Sequence, residues 1–386
     1  MEQSHDRGAV IFLSSMGLLT MSIPTQVRLI HCAETIKGGI ATYLRELLAQ
    51  QVQAFKAGEI AVVVPQSQLT ELPRLDGVVV HSYEDVPGQR VRNAFKLGRK
   101  VLTLMLANPA AVVHVHSTFA GVTVRALAAL VGRAKALVYC PHGWAWDRPM
   151  NPLARRVTQS LERALSWVSG AIVCISDHER QTGIQAGISA SKLHVVLNGV
   201  AAHAPTPQPM AVDWPQDRLR VLFVGRFDRQ KGVDLFCQAM AQMQSEVYAV
   251  MAGGAVLGDA ISIQLPPNAH LAGWVSASQL EYLLRASDVL VVPSRWEGFG
   301  LIAAEAMRAG VAVVAAKVGG LAEVVDHERT GVLIEPESVA AICQALRSHT
   351  VQEWRDMGAQ GKLRFDQRFK MERVHTELMA LYQRLR

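Results

Sequence analysis

Several patterns that would announce a common activity are missing from this chain. It has five cysteines among 386 residues, and the nearest pair, Cys140 and Cys174, stands 174 − 140 = 34 positions apart. No C-x-x-C or metal-ligand spacing exists, which fits a reducing cytoplasm better than a disulfide scaffold. No Walker A sequence occurs, which argues against nucleotide hydrolysis. No D-x-D pair occurs, so an acidic clamp for a metal–diphosphate complex is absent. The apolar stretch Ala9 to Met21 is too short to span a bilayer comfortably and is weakly flanked for a signal peptide. Residues 1–25 are set apart as an N-terminal extension with no assigned role.

What is present points to two folded units. Hydrophobic residues make up 50% and charged residues 19%, a balance that excludes disorder, and the length exceeds one typical core. The net charge of +6 is uneven. Residues 1–200 hold 20 Lys/Arg against 13 Asp/Glu, giving +7, and the rest holds 19 against 20, giving −1. An anionic partner is expected on the first half, either a membrane surface or a phosphorylated acceptor. Ordinary solvated charge is the competing explanation.

Asp288 to Ala316 organises the rest. Val289 to Val292 is a buried strand closing on Pro293. A turn, Glu297-Gly298-Phe299-Gly300, leads into a helix ending at Gly310, and Val311 to Val314 is a second strand. The βαβ unit predicts a parallel sheet with its ligand at the C-terminal strand ends. The amides of Gly298, Phe299, Gly300 and Leu301 suit an anion such as a phosphate. Glu305, eight positions after Glu297, could accept hydrogen bonds from hydroxyls of the same ligand.

The run Pro-Ser-x-x-Glu297-Gly-Phe-Gly-Leu-x-x-x-Glu305-Ala-Met-x-x-Gly310 resembles the large family 4 of retaining, nucleotide-sugar-dependent GT-B glycosyltransferases. The resemblance spans roughly residues 27–386 and is strongest in the second half. It implies an α/β fold of two Rossmann-like domains whose parallel sheets face each other across a cleft. The expected organisation is an acceptor-binding domain over 26–204, a proline-rich linker over 205–216, a nucleotide-sugar-binding domain over 217–365, and a helix over 366–386 that packs back on the first domain.

Upstream of the organising run, Leu219 to Val224 is a strand followed by Gly225-Arg226 and, five positions later, Lys231. Arg226 can bind phosphate oxygens bidentately and Lys231 supplies a point charge. The family places such a pair on the nucleotide diphosphate. It also uses the backbone after a glycine to read the base, which implicates Trp274 and Val275 after Gly273. Glu305 would then hold the ribose and Glu297 the sugar hydroxyls.

In the first half, Val27 to Cys32 is a strand running into Gly38-Gly39, where the backbone can approach an anion; in the family this loop lies against the donor's phosphates and the acceptor. His142, at the end of the strand Leu137 to Cys140, resembles the family's strand-terminal histidine, which contacts the donor sugar. Trp144 and Trp146 beside it could stack on an acceptor sugar or serve as packing. His114 and His116 share one strand face, but no third metal ligand is spaced to help them, so core or loop-edge roles are expected. Arg90, Arg92, Lys96, Arg99 and Lys100, interleaved with Val91, Phe95 and Leu97, suit an amphipathic helix on anionic lipid, although a solvated helix face is the plainer alternative.

The expected activity is therefore transfer of a sugar from a nucleoside-diphosphate sugar to a glycan or lipid-linked acceptor in envelope or exopolysaccharide synthesis. His142, Glu297, Arg226 and Lys231 would act on the reacting groups, with no metal and no cofactor. The expected location is the cytoplasm, with peripheral contact to the membrane's inner face, and nucleic acid is not among the expected partners. A nucleotide-sugar epimerase of the same fold and a non-catalytic nucleotide-sugar-binding subunit are the alternatives.

Overall fold

The strands read as near-continuous apolar runs, IAVVVP at Ile60–Pro65 and VLVV at Val289–Val292, with every residue buried. Such strands need helices on both faces of a sheet, which is the parallel α/β solution. A computed structural model describes residues 26–72, 75–255 and 263–385; the extension over 1–25 lies outside them. The first sheet contains β1 (Leu29–Ala33), β2 (Ile60–Pro65), β3 (Val78–Tyr83), β4 (Val112–His116), β5 (Leu137–Cys140), β6 (Ala171–Cys174) and β7 (Leu193–Val195). Its helices are α1 (Gly39–Gln51), α2 (Arg90–Ala107), α3 (Thr118–Leu130), α4 (Pro152–Ser166) and α5 (Asp177–Gln185).

The second sheet contains β8 (Leu219–Val224), β9 (Val247–Ala252), β10 (Ala269–Gly273), β11 (Val289–Val292), β12 (Ala312–Ala316) and β13 (Gly331–Ile334). Around it lie α6 (Val233–Gln242), α7 (Ala277–Ala286), α8 (Leu301–Ala309), α9 (Leu321–Val324) and α10 (Val339–Arg347), followed by α11 (Val351–Arg368) and α12 (Met371–Arg384). Strand orders are β3-β2-β1-β4-β5-β6-β7 and β10-β9-β8-β11-β12-β13, with every pairing parallel. Each order reverses direction once, between β1 and β4 and between β8 and β11. Ligand crevices of open α/β sheets form at such points. The two-domain GT-B architecture expected from the sequence is the one observed.

No helix or strand is assigned between Val195 and Leu219, although Met210, Val212 and Trp214 pack against the core. The C-terminal helical segment is two helices, α11 and α12, and the expected helix over 366–386 that packs back on the first domain corresponds to α12. The segment breaks where the chain meets the first domain: the Val200 amide donates to the Phe369 carbonyl at 2.9 Å, and the Met371 amide donates to the Val200 carbonyl at 3.0 Å. Those bonds divert backbone groups from a continuous helical ladder. α11 then stays on the second domain against α8 and β12, while α12 crosses to α1.

Further contacts join the domains around the cleft. Glu323, on α9, accepts the amides of Asp177 and His178 at 2.8 and 2.5 Å, so a second-domain carboxylate caps the N-terminus of α5. Glu46, on α1, accepts the Ala201 amide at 2.8 Å, and Arg308 of α8 donates to the Ala201 carbonyl at 3.1 Å.

Candidate active site

The second-domain wall is made by two loops that lock together. Gly232, the N-cap of α6, has φ 67°, and a Cβ there would run into the Pro293 carbonyl at the end of β11. That close approach holds the loop after β8 against the turn before α8. The Arg295 amide donates to the Gln230 carbonyl at 2.8 Å, and the Gln230 side-chain amide donates to the Trp296 carbonyl at 3.2 Å. Arg295 also grips Asp234 through two bonds of 2.8 and 2.7 Å.

Locking the loops brings distant charges together. The Lys231 ammonium lies 2.5 Å from a Glu297 carboxylate oxygen, across 66 positions of sequence. Arg226 lies 2.9 Å from Asp228 and donates to Gln230 at 2.9 Å. The sequence places Lys231 and Glu297 on different parts of a ligand; in the structure they are direct partners. Arg226 is held by groups a phosphate could replace.

Next to them, the amides of Gly298, Phe299, Gly300 and Leu301 donate to no acceptor among the described residues. Gly300 has φ 91°. The Gly320 amide donates to the Glu297 carbonyl at 3.2 Å and supports the turn from behind. The Phe299 ring faces the interior, edge-on to Phe369 at 5.7 Å, so only its backbone is available to a ligand. The Glu305 side chain forms no hydrogen bond with the described residues. Burial pushes its carboxyl up to about 7, opposed by Arg308 and reinforced by Glu46. Trp274 is 66% exposed, with its indole nitrogen beside Gly254, and Val275 is partly buried against the core.

The first domain supplies the opposite wall. Gly39 faces Leu301 across the cleft, where a Cβ on it would make ordinary contact with the leucine side chain at 3.6 Å. His142 is a non-glycine residue with φ 55°, and Gly143 follows with φ 98°, a strained turn over-determined by its surroundings. The Gly143 amide donates to Glu179 at 2.6 Å, and the same carboxylate accepts the Ile175 amide at 2.6 Å. Burial pushes Glu179 up to about 8 against the pull of those two bonds. The His142 carbonyl lies 3.4 Å from where a Cβ on Gly298 would sit. The histidine turn and the glycine turn therefore meet across the cleft.

Behind His142 lies a buried column of imidazoles. His116 Nδ1 is 2.9 Å from His142 Nε2, and His31 Nδ1 is 3.0 Å from His116 Nε2. His31 arrives because β1 pairs with β4 in the register His31↔His114. His31, His114 and His116 place one nitrogen each within 4.8 Å of one another, a spacing that could hold a metal ion. The expectation that His114 and His116 lack a third nitrogen is thus corrected: the third comes from a neighbouring strand. Burial lowers His31 and His142 to about 4 and pushes His114 and His116 well below the usual histidine range, so all four rings are neutral.

Trp144 and Trp146 take the packing role rather than the sugar-stacking one. They are 1% and 5% exposed, stack on each other at 4.5 Å, and Trp144 donates to the Glu179 carbonyl at 2.7 Å. Both rings are committed to the core. On α2, Leu97 is also core, while Val91 and Phe95 are 76% and 55% exposed. Lys96 donates to the Glu84 carbonyl at 2.8 Å, Arg92 donates to Gln89 at 3.2 Å, and Arg90 lies over the Phe119 ring at 5.8 Å. Arg99 and Lys100 are exposed. His31, Gln51, Glu179 and Glu323 contribute without being expected; only Glu179 had a local signal, the Ser-x-x-Glu capping pattern from Ser176.

The chain is similar to known proteins over both domains. The model of the glycosyl transferases group 1 matches residues 208–357, and that of glycosyltransferase family 4 matches residues 37–203. The chain belongs to the family 4 type of GT-B glycosyltransferases. An uncharacterised 41.2 kDa protein in the cps region of Klebsiella pneumoniae is 30% identical over 86% of this chain and 92% of its own length. A D-inositol 3-phosphate glycosyltransferase of Xylanimonas cellulosilytica is 31% identical over 57% of this chain and 58% of its own length. Among solved structures, the sucrose-phosphate synthase of Thermosynechococcus elongatus superposes with TM-score 0.79 at 20% identity, covering 93% of this chain and 99% of that one. Anabaena HepE in complex with UDP-glucose gives 0.74 at 18% identity, covering 93% and 100%. At these identities the superpositions speak for the fold of this glycosyltransferase. No described helix is long and apolar enough to cross a membrane.

Proposed function

We propose that this glycosyltransferase moves a sugar from a nucleoside-diphosphate sugar to a glycan or lipid-linked acceptor with retention at the anomeric carbon. The observation that carries the reading is the convergence of Arg226, Lys231 and four unpaired amides, Gly298 to Leu301, on one turn opposite His142. Cleavage of the anomeric C–O bond sends its electron pair to the departing diphosphate and leaves an oxocarbenium-like sugar; an acceptor hydroxyl oxygen bonds the anomeric carbon and gives up its proton to the departing diphosphate. Donors fixed in advance stabilise that diphosphate charge without reorganising. Binding would exchange the Asp228 and Gln230 contacts of Arg226, and the Glu297 contact of Lys231, for phosphate oxygens. Glu297 is then free for sugar hydroxyls, His142 meets the sugar from the other domain, and Glu305 takes the ribose. Gly38 and Gly39 approach the phosphates by backbone, and Trp274 and Val275 border the base. In this scheme fixed cations and amides carry the charge and no metal takes part.

For the acceptor we favour a glycan assembled on lipid. The Klebsiella relative is described by its place in a cps region. The first domain also presents a suitable face: α2 exposes Val91 and Phe95 among its cations, and α4 exposes Leu153, Val157 and Leu161, a ridge at fourth positions beside Arg155, Arg156 and Arg163. Apolar residues flanked by cations suit an anionic bilayer surface.

The test is incubation with UDP, GDP, ADP and TDP sugars, with and without anionic vesicles carrying lipid-linked oligosaccharide. Transfer to the oligosaccharide from one donor, with the α-anomer of an α-donor preserved, is the expected result. An isomerised sugar from donor alone would make the protein an epimerase, and in a separate flotation with neutral and with anionic vesicles equal recovery would remove the membrane surface.

A further inference from the structure

The imidazole column behind His142 has a chemical direction, and one side chain at its far end sets it. A neutral imidazole carries one N–H and one lone pair, so each ring in a hydrogen-bonded chain donates from one nitrogen and accepts at the other. The chain starts at Gln51, the last residue of α1 and fully buried, whose carboxamide oxygen lies 2.9 Å from His31 Nε2. With the carboxamide in this orientation its oxygen accepts, which puts the His31 proton on Nε2 and leaves Nδ1 as a lone pair. His116 Nε2, at 3.0 Å, must then donate to it. His116 Nδ1 is left as the acceptor for His142 Nε2–H at 2.9 Å. His142 Nδ1 makes no hydrogen bond with the described residues and holds the remaining lone pair.

We propose that Gln51, His31 and His116 are positioning residues which fix the proton of His142 on Nε2, so that Nδ1 meets the ligand as a hydrogen-bond acceptor. The importance of that nitrogen for transfer rests on the function proposed above; the direction of the chain does not. His114 stands aside from the relay. Its Nδ1 is 2.6 Å from the Tyr382 hydroxyl, its Nε2 has no partner, and its ring packs on His116 with centroids 4.2 Å apart. The same three rings could instead close on a metal ion. The two arrangements exclude each other, because an ion takes the lone pairs of His31 and His116 together, whereas the shared N–H between them uses only one. The 3.0 Å separation is that of a hydrogen bond.

The experiment labels the full chain with ¹⁵N-histidine and reads the ring-nitrogen shifts at neutral pH, with the metal content of the same sample measured. The relay predicts the Nε2–H form alone for His31, His116 and His142, and no stoichiometric metal. An Nδ1–H form at any of the three, or one equivalent of bound zinc, overturns it. Gln51→Leu then removes the terminal acceptor three hydrogen bonds from His142 Nδ1, and Gln51→Glu restores one. With leucine the His142 shifts move towards a tautomer mixture and kcat falls about tenfold, the worth of one misplaced hydrogen bond, with little change in KM; glutamate returns both. If leucine leaves the His142 shifts unchanged, the relay is wrong. If the shifts move while kcat does not, the relay stands and His142 loses its place in the transfer reaction. Should the leucine variant not fold, the wild-type shifts alone decide.

Discussion

The two walls of the cleft are built by opposite strategies. The second-domain wall is a short-range construction in which strand, turn and helix follow one another, and two such units, after β8 and after β11, bring Arg226, Lys231, Glu297 and four free amides onto one corner. The first-domain wall is assembled across the sheet. His142 is held by His116 from β4, His116 by His31 from β1, and His31 by Gln51 from α1, while Glu179 from α5 fixes the turn that carries it. The difference shows where binding charge and side-chain alignment come from. A polyanion is met by backbone dipoles and cations that a local motif can present, whereas orienting one imidazole takes a buried network reaching across several strands.

The sharpest way to break this contrast is at the charged corner. Arg226→Ala should lower kcat/KM at least a hundredfold, about 3 kcal/mol of transition-state stabilisation, and should also lower the melting temperature, because the side chain of its partner Asp228 is only 7% exposed and loses its ion pair. Steady-state kinetics on the folded variant checks it, and a loss under threefold would remove Arg226 from the account. The other wall should answer to pH instead. Glu179 is pushed up to about 8 by burial, so the folded state keeps a proton that the unfolded chain releases near pH 4. Its contribution to stability is complete below that unfolded value and is lost as pH rises through the folded one. Glu179→Gln cannot ionise, so its melting temperature relative to wild type should climb by about 2–4 °C between pH 5 and 8.5. Calorimetry across that range decides, and parallel curves would mean that Glu179 is not held protonated.

What could be read from the sequence follows the same division. The doubly wound fold, the Arg226–Lys231 spacing and the Glu297-to-Glu305 run were legible because each lies within one βα unit, where strand, glycine turn and helix leave a contiguous trace. The Lys231–Glu297 contact, across 66 positions, was not, since it depends on Gly232 packing against Pro293. The histidine column was hidden for a stronger reason. His31 looks like an ordinary residue in an apolar strand, and only the register of β1 against β4 brings it to His114 and His116. Trp144 and Trp146 misled in the other direction. Two aromatics after a strand end suit a sugar platform as well as a core, and the choice is made by α5, whose Glu179 carbonyl takes the Trp144 indole proton. The start of the C-terminal helix falls at Met371 rather than 366 because the interruption before it is supplied by Val200 from the other domain, which no helix-stop signal near Phe369 announces.

The central claim, that a nucleoside diphosphate docks on the positive corner of the second domain, is tested most directly by a crystal structure of the complex. The phosphates should lie within hydrogen-bond distance of Arg226, Lys231 and the amides of Gly298 to Leu301, with the Lys231–Glu297 contact opened. Phosphates bound elsewhere, with that ion pair intact, would contradict it.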